Sequence, residues 1–366
     1  MHFLKSPLKV SQPAGQVSLL TSRLLSPVAL LSLLGFSALL SLTLFNNSRA
    51  AGPAFSEKTL NALKQPPANA LRIETRSLKQ GNVYYAIIPS DYPILPLVSE
   101  KLQSIERFHP SLQKGTSQPL LPLAVINAGY FDPQNHKTIS YVTQNGKIIA
   151  DPTQNERLTQ NPNLKPYLAK IFNRSEFRIY DCPTGSNETI EEALKSETSI
   201  RYDITPHQAP VPTGCKLTHA LGAGPQLLPL DRSLEEAVID TDASGKLIRD
   251  PFGVKAPNAR SAIGITKSGN VILLMGAQDP ARNADGFTFE QIRSLLSSLG
   301  ASKALSLDGG SSSAIMLKGL DNQLDSPLEN RPKLAMPVIY GKYNKDGQPV
   351  KRPIKSVLMV LSPMAP

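Results

Sequence analysis

Short apolar runs, each ended by polar turn-forming residues, recur along most of this chain. Apolar and polar positions alternate at 71–79 and 82–89, which predicts two strands joined at Gln80-Gly81. Apolar runs predict further strands at 121–126, 304–307, 314–317 and 354–361, the first of them buried. Residues 260–265 and 271–275 predict a second hairpin around Ser268-Gly269. Asn145-Gly146 favours a tight hairpin turn within 138–150.

Helical spacing of apolar residues is rarer. It predicts a helix at 97–108 and another at 288–299, the second with Thr288 as N-cap and Gly300 as its stop. A short strand is predicted at 177–180, a short helix at 190–195, a loop at 151–170 and a weakly patterned surface excursion at 181–217. The order predicts an α+β fold: a single domain with a mixed β-sheet core and several interspersed helices.

Composition excludes several classes. With 366 residues, 40% hydrophobic and 19% charged, the chain has material for one large domain or two medium ones, and its 32 prolines argue against an all-helical fold. The net charge is +10, of which residues 1–50 contribute four, so 10 − 4 leaves +6. No tight Lys/Arg block accompanies this surplus, so we expect no nucleic-acid partner, and the oligomeric state stays unknown.

The N-terminus predicts export. Basic residues precede an uncharged apolar run at 24–45 that is long enough to span a bilayer, and small residues follow it. Two alternatives stay open for residues 1–50: a long cleaved signal peptide, or an uncleaved anchor that would make the membrane a partner. Either places the bulk of the chain in the periplasm or another extracytoplasmic space. Residues 51–70 are predicted to be a linker, and 71–361 the globular domain.

The cysteines and histidines restrict the chemistry. Cys182 and Cys215 form either one disulfide or two free thiols, because the sequence does not show whether their geometry permits a bond. The five histidines include no pair with zinc-binding spacing, which disfavours a zinc hydrolase.

The sharpest candidate site follows the strand predicted at 304–307. Asp308 ends that strand, where a carboxylate can act as a general base, a nucleophile or a metal ligand. Two glycines then allow close approach of the backbone to a ligand, and three hydroxyls suit phosphate or sugar oxygens. These candidate substrate-binding residues are Gly309, Gly310, Ser311, Ser312 and Ser313. The structural alternative is a tight connection in which Asp308 caps its own turn.

Other segments add candidates. Arg260 opens an apolar strand, where a guanidinium either binds phosphate oxygens in bidentate fashion or forms a structural ion pair. Asn127 is a candidate for holding a sugar hydroxyl, and Asp132 is a second carboxylate for acid/base chemistry or for a metal. Tyr130 offers an aromatic face to a sugar or packs in the core. Gly224, in a glycine turn, is a further candidate contact. No cofactor is required, although calcium or magnesium near Asp132 is compatible with the sequence.

Taken in order, four blocks of this chain resemble the phosphodiester glycosidase family. They are Asn127-Ala-Gly-Tyr-Phe-Asp132, Gly222-Ala-Gly-Pro-Gln-Leu-Leu228, Asn258-Ala-Arg-Ser-Ala-Ile-Gly264 and Ala304-Leu-Ser-Leu-Asp-Gly-Gly-Ser311. The resemblance covers roughly 71–361. It implies a hydrolase, since the animal member of that family removes N-acetylglucosamine from a phosphodiester on mannose.

The departures from the family pattern support a second hypothesis. The family often has Asp-Gly-Arg after the strand predicted at 271–275, whereas Met275-Gly-Ala-Gln278 stands here. A helix glutamate is replaced by Gln291, and the third glycine of the Asp-Gly-Gly block by Ser311. A non-catalytic carbohydrate-binding or envelope-assembly protein on the same fold would tolerate these changes.

The leading hypothesis is an exported hydrolase that cleaves a glycosyl phosphodiester at the anomeric carbon of a sugar-phosphate-containing glycan or envelope polymer. Asp308 is the first candidate for the catalytic carboxylate and Asp132 the second, because carboxylates support an oxocarbenium-like transition state. Arg260 would neutralise the phosphate leaving group, while Asn127 and the three serines position the substrate. This assignment requires Asp308 and Arg260 to face the same pocket.

Overall fold

Antiparallel strands make up most of the computed structural model, which describes residues 70–108, 122–183, 198–319 and 336–363. The strands are, in chain order, β1 (Arg72–Leu78), β2 (Gly81–Ile88), β3 (Ile94–Gln103), β4 (Pro122–Asn127), β5 (Val142–Gln144), β6 (Lys147–Ala150), β7 (Ser175–Pro183), β8 (Thr198–Pro206), β9 (Lys216–Gly222), β10 (Gln226–Leu228), β11 (Asp240–Thr241), β12 (Leu247–Arg249), β13 (Arg260–Thr266), β14 (Val271–Ala277), β15 (Ala301–Ser306), β16 (Ala314–Leu317), β17 (Val338–Tyr340) and β18 (Ile354–Leu361). The α-helices are α1 (Glu156–Thr159), α2 (Leu168–Phe172) and α3 (Phe289–Ser298).

Three larger sheets contain most of these strands. The first has six strands in the order β1-β2-β14-β13-β15-β10, the second five in the order β17-β16-β4-β18-β3, and the third five in the order β6-β5-β9-β7-β8. Strands β11 and β12 form a separate pair. Each pairing among the described strands is antiparallel.

One apolar core joins the three larger sheets, because each contributes the buried face of its central strands. Its members include Ala86, Ile263, Leu273 and Leu305 from the first sheet, Ile126, Ile315 and Leu358 from the second, and Phe177, Ile179 and Leu221 from the third. Successive residues of a strand point to opposite faces. The alternate residues Ile272 and Leu274 of β14 therefore pack on the other side, with Ile292 and Leu296 of α3.

Helix α3 begins as the sequence predicts. The Thr288 hydroxyl accepts a hydrogen bond from the Gln291 N–H at 3.2 Å, and the Gln291 side chain accepts one from the Thr288 N–H at 2.9 Å. This reciprocal capping box occupies two N–H groups that the first turn leaves free. Glutamine fills that position as well as glutamate does, so a local structural role accounts for Gln291.

The structure confirms most of the strands predicted from the sequence, but it contradicts one of the predicted helices. The β1–β2, β5–β6 and β13–β14 hairpins and strands β4, β15, β16 and β18 are confirmed. The helix predicted at 97–108 is wrong: this segment continues β3, pairs with β18, and ends in a 3-10 turn at Ile105–Arg107. In the structure β3 is a partly buried strand at the edge of the second sheet, so tertiary pairing prevailed over its helical spacing. The helix predicted at 190–195 lies outside the described residues.

Tertiary pairing also ordered segments with weak patterns. The predicted loop at 151–170 contains α1 and the start of α2. The predicted surface excursion at 181–217 contains the end of β7, all of β8 and the start of β9, and β8 and β9 lie on either side of β7 in the third sheet. Cys182 lies near the end of β7, and Cys215 immediately precedes β9. The two residues form a disulfide. This bond resolves the alternative that the sequence left open.

The α+β prediction is confirmed in part. Sheets form the core and helices are interspersed among them, but the helices are few and the described pairings are antiparallel. In the part of the chain that the structure describes, no helix is long and apolar enough to cross a membrane. The apolar run at 24–45 lies outside the described residues, and the proposed boundaries at 50, 70 and 361 remain predictions.

Candidate active site

A cavity of about 370 Å³ lies where strand ends of the first and second sheets meet. That volume falls in the range of small-molecule sites, roughly 300–1,000 Å³. Its lining combines aromatic, cationic and small polar residues with a single carboxyl group. The lining residues are Tyr130, Pro251, Phe252, Asn258, Arg260, Asp308, Gly309, Gly310, Ser311, Lys342 and Arg352. Asp308 and Arg260 therefore face one cavity, as the catalytic hypothesis requires.

The backbone around Asp308 is fixed by its neighbours. Strand β15 ends at Ser306, and the chain then crosses from the first sheet to β16 of the second. The Asp308 N–H donates to the Ala128 carbonyl at 2.8 Å, and the Gly310 N–H donates to the Ala259 carbonyl at 2.8 Å. These bonds attach the connection to the end of β4 and the start of β13. Asp308 is therefore positioned by both sheets.

Asn127 lies beneath this connection and is 1% exposed. Its side-chain amide donates to the Asp308 carbonyl at 2.6 Å. Its side-chain oxygen accepts bonds from the Ser261 hydroxyl at 2.7 Å and from the Ala314 N–H at 3.1 Å. Asn127 does not line the cavity. Its geometry is that of a residue that positions Asp308, and the predicted contact with a sugar hydroxyl remains a prediction.

The carboxyl group of Asp308 has unusual electrostatics. Burial raises its pKa to about 6, although the Ser312 hydroxyl, the Arg352 charge and the Gly309 N–H each act to lower it. Desolvation disfavours the charged form of a carboxyl group, which is the source of the increase. A carboxyl that titrates near neutrality can exchange protons with water during a reaction, which suits acid/base catalysis.

The residues after Asp308 divide into two groups. Gly309, Gly310 and Ser311 line the cavity, whereas Ser312 and Ser313 are buried and do not. Gly310 has a φ of 60°, in the left-handed region that a residue with a side chain rarely adopts. The two glycines therefore expose backbone to the cavity, as predicted, but only Ser311 presents a hydroxyl there.

Arg260 lines the cavity and also holds the surrounding loops. Its guanidinium donates to four backbone carbonyls, at distances between 2.6 and 3.1 Å; the acceptors are those of Phe287, Phe252, Gly253 and Ala256. The group also lies 4.5 Å from the centre of the Phe289 ring. An arginine has five N–H donors, so one remains for a ligand. Burial lowers the pKa of Arg260 from its ordinary value.

An aromatic wall borders the cavity. The Tyr130 and Phe252 rings stack with their centres 4.5 Å apart. The Tyr130 hydroxyl donates to the Gly224 carbonyl at 2.9 Å, which fixes the ring. Gly224 has a φ of 101°, and a side chain there would overlap with the Glu236 carboxylate. Gly224 does not line the cavity, so its geometry suits support of Tyr130.

Several lining residues escaped the sequence analysis. Lys342 and Arg352 belong to a proline-rich segment between β17 and β18 that carries no recognisable motif. Phe252 lies in an irregular segment before β13. Asn258 belongs to one of the four blocks that resemble the family and lies two residues before Arg260. Its proximity to Arg260 in the sequence could have predicted that it lines the same cavity. The others reach the cavity only through tertiary packing.

Asp132 lies outside the cavity lining. One of its oxygens accepts from the Gln134 N–H at 2.8 Å and the other from Arg157 Nε at 2.9 Å. Both oxygens are therefore engaged by its own turn and by an ion pair. Among the described residues, no group of three His, Cys, Asp or Glu side chains could hold a metal ion. Calcium or magnesium near Asp132 stays a prediction.

One family profile matches most of the chain. A profile described as phosphodiester glycosidase matches residues 122–361. None of the curated proteins compared with the chain matches it. A zebrafish N-acetylglucosamine-1-phosphodiester alpha-N-acetylglucosaminidase catalytic domain aligns at 13% identity with a TM-score of 0.45, over 80% of this chain and 82% of that one. A hypothetical protein from Synechocystis aligns at 14% identity with a TM-score of 0.41; the match covers 82% of this chain and spans 64% of the Synechocystis chain.

We expect Arg260→Lys to lower the free energy of unfolding by about 2–4 kcal/mol, because lysine cannot reproduce a fork of bonds to four carbonyls. Urea denaturation of the purified protein measures the change. Arg107→Lys is the matched control, since Arg107 is exposed in a surface turn. Equal stability of the two variants would contradict the role of Arg260 in holding the loops.

Proposed function

The chain belongs to the phosphodiester glycosidase family, and we propose that it hydrolyses a glycosyl phosphodiester at the anomeric carbon, in the cavity around Asp308. One observation carries the proposal. A single carboxyl group with a pKa of about 6 faces a cavity whose other charged lining residues are all cationic. Such a cavity suits a substrate with a negative charge beside the bond that breaks.

The reaction adds water across the bond between the anomeric carbon and the phosphate oxygen. That bond breaks, and the phosphate leaves with the bridging oxygen and its electron pair. The water oxygen bonds to the anomeric carbon, and one water proton is released to solvent, through the Asp308 carboxylate when that group acts as the base. A phosphate monoester has a second pKa near 6, so it leaves without help from a strong general acid. One lining carboxyl group is therefore sufficient.

Asp308 acts in its ionised form. In one route it activates the attacking water, and the configuration at the anomeric carbon is inverted. In the other it attacks that carbon to form a glycosyl ester as the phosphate leaves; water then cleaves the ester, loses its proton to solvent and frees the carboxylate, with retention. The cationic lining stabilises the charge that develops on the leaving phosphate, and preorganised charge of this kind is often the largest contribution to catalysis. Tyr130 and Phe252 supply an apolar wall against which a sugar ring can pack.

The substrate in this proposal is a sugar-phosphate-containing glycan, such as an envelope polymer, and the chain acts outside the cytoplasm. The Cys182–Cys215 disulfide supports export, because structural disulfides persist mainly in oxidising compartments. The apolar run at 24–45 supports it as well, as a signal peptide or as an anchor. Both points support the localisation indirectly, through redox chemistry and targeting.

We expect cleavage of the carbon–oxygen bond when the full chain, purified in mild detergent, acts on UDP-N-acetylglucosamine in ¹⁸O-labelled water. The released UDP should then carry no label, since the water oxygen goes to the sugar, and ³¹P NMR detects any isotope shift. Label in UDP would instead mean attack at phosphorus and would overturn the proposed reaction. Tight binding of glycosyl phosphodiesters with no release across a panel would favour the non-catalytic carbohydrate-binding alternative.

Asp308→Asn should lower the turnover number by about two to three decades, the usual cost of one essential transition-state contact. The release rate of UDP from the same substrate measures it. Asp346→Asn, in an exposed turn, is the matched control and should retain the rate. Asp132→Asn decides between the two predicted carboxylates: a larger loss there than at Asp308 would transfer the catalytic role to Asp132.

The pH profile should report Asp308 directly. If its ionised form is required, kcat/KM falls below about pH 6, by about tenfold for each unit, and levels off above it. The sign follows from the raised pKa, because the fraction of carboxylate declines as the pH drops through that value. A phosphodiester substrate does not titrate in this range, so the profile belongs to the protein. A rate that instead falls above pH 6 would assign Asp308 the role of general acid.

A further inference from the structure

The cavity carries more positive charge than the protein itself balances. Arg260, Lys342 and Arg352 line it with Asp308 as the single lining carboxyl group. Within the described residues, none of these three cations forms an ion pair. Charges withdrawn from water are costly unless a partner compensates them. The surplus therefore indicates an anionic ligand.

Arg260 is the least available of the three. Four of its five N–H donors bind backbone carbonyls, and its side chain is 4% exposed. It contributes charge to the cavity but has a single donor left for a ligand. A bidentate grip on two phosphate oxygens needs two parallel donors. Its geometry therefore excludes the bidentate contact that the sequence suggested.

Lys342 and Arg352 lie at the two ends of one loop. The Val350 N–H donates to the Lys342 carbonyl at 2.8 Å, and Tyr343 pairs with Pro349 in an isolated bridge. The Tyr343 N–H also donates to the Gln278 side chain at 3.0 Å, which attaches the loop to the end of β14. These contacts close the loop at its base, and both cations line the cavity.

Uncharged side chains orient Lys342 and Arg352, and each contact occupies only one of the N–H donors of the cation. Lys342 Nζ donates to the Asn258 side-chain oxygen at 3.1 Å. Arg352 Nη1 donates to the Ser311 hydroxyl at 2.8 Å, and its guanidinium lies 5.1 Å from the centre of the Phe131 ring. Both side chains are half-buried. Each therefore has a defined direction and several N–H groups left for a ligand.

We propose that Lys342 and Arg352 form the subsite that binds the phosphoryl oxygens of the substrate, and that Arg260 acts as a positioning residue that shapes the loops around it. The inference rests on the proposed function. It deepens that function by naming the residues that hold the phosphoryl group beside the anomeric oxygen. Neutral glycosides of the same sugar lack the charge that this subsite requires and are excluded.

Binding of inorganic phosphate to the full chain in mild detergent tests the subsite separately from turnover. Isothermal titration calorimetry measures the affinity of wild type, Lys342→Ala and Arg352→Gln. Lys345→Ala and Lys351→Ala are the matched controls, because both residues are exposed on the same loop and neither lines the cavity. Thermal unfolding of each variant verifies that it folds. Lys342→Ala carries the test if Arg352→Gln unfolds, since the Lys342 side chain has one described partner, Asn258.

We expect each cavity variant to weaken phosphate binding by about tenfold or more, the value of one charge-assisted hydrogen bond. The two control variants should bind like wild type, because screening by salt and water leaves exposed charges little influence. Arg352→Lys should restore part of the affinity, since it returns the charge without the fork of donors. A neutral methyl glycoside should not bind with comparable affinity.

The outcomes separate the subsite from the reaction. Phosphate affinity that is absent in wild type, or that falls no further in the cavity variants than in the controls, overturns the subsite even if hydrolysis occurs. Phosphate affinity that depends on Lys342 and Arg352, with no hydrolysis of any phosphodiester, supports the subsite and removes the proposed reaction. Loss of phosphate binding together with a raised KM for UDP-N-acetylglucosamine supports both.

Discussion

The site depends on the buried amide of Asn127. Its three hydrogen bonds reach the Asp308 carbonyl, the Ser261 hydroxyl and the Ala314 N–H, and so connect the ends of strands in two sheets. A side-chain amide can donate and accept hydrogen bonds at the same time. Asn127 can therefore bind a carbonyl in one connection, and a hydroxyl and an N–H in others. Left unpaired in the core, the same polar groups would be destabilising, so the network fixes the backbone of Asp308 as a condition of folding.

Charge is the second constraint. Asp308 lies in surroundings that raise its pKa to about 6, while cations without ion-pair partners among the described residues face the same cavity. Two opposed effects thus act on one carboxyl group: burial favours its neutral form, and Arg352 favours its ionised form. A carboxyl group whose pKa lies near neutrality is suited to acid/base catalysis. Tyr130, held by the Gly224 carbonyl, completes a wall that a sugar ring can contact.

The departures from the family pattern have local structural explanations in two places. Gln291 is part of the capping box of α3, a role that glutamine and glutamate share. Gln278, where the family often continues with Asp-Gly-Arg, accepts from the Tyr343 N–H and so supports the loop that carries Lys342 and Arg352. Both cations of that loop line the cavity. Ser311, in place of a glycine, accepts a hydrogen bond from one of them.

The sequence by itself determined the strands with strong apolar patterns, the cap of α3, the family and the first candidate carboxylate, because each depends on neighbouring residues. Periodicity and turn chemistry are local, and Asp308 follows a strand whose burial is evident from its composition. Only the tertiary structure decided which groups Arg260, Asn127 and Asp132 contact, since each contact depends on which distant groups reach the side chain. Lys342 and Arg352 carried no local signal, and they join the site because long-range hydrogen bonds fold their loop over it.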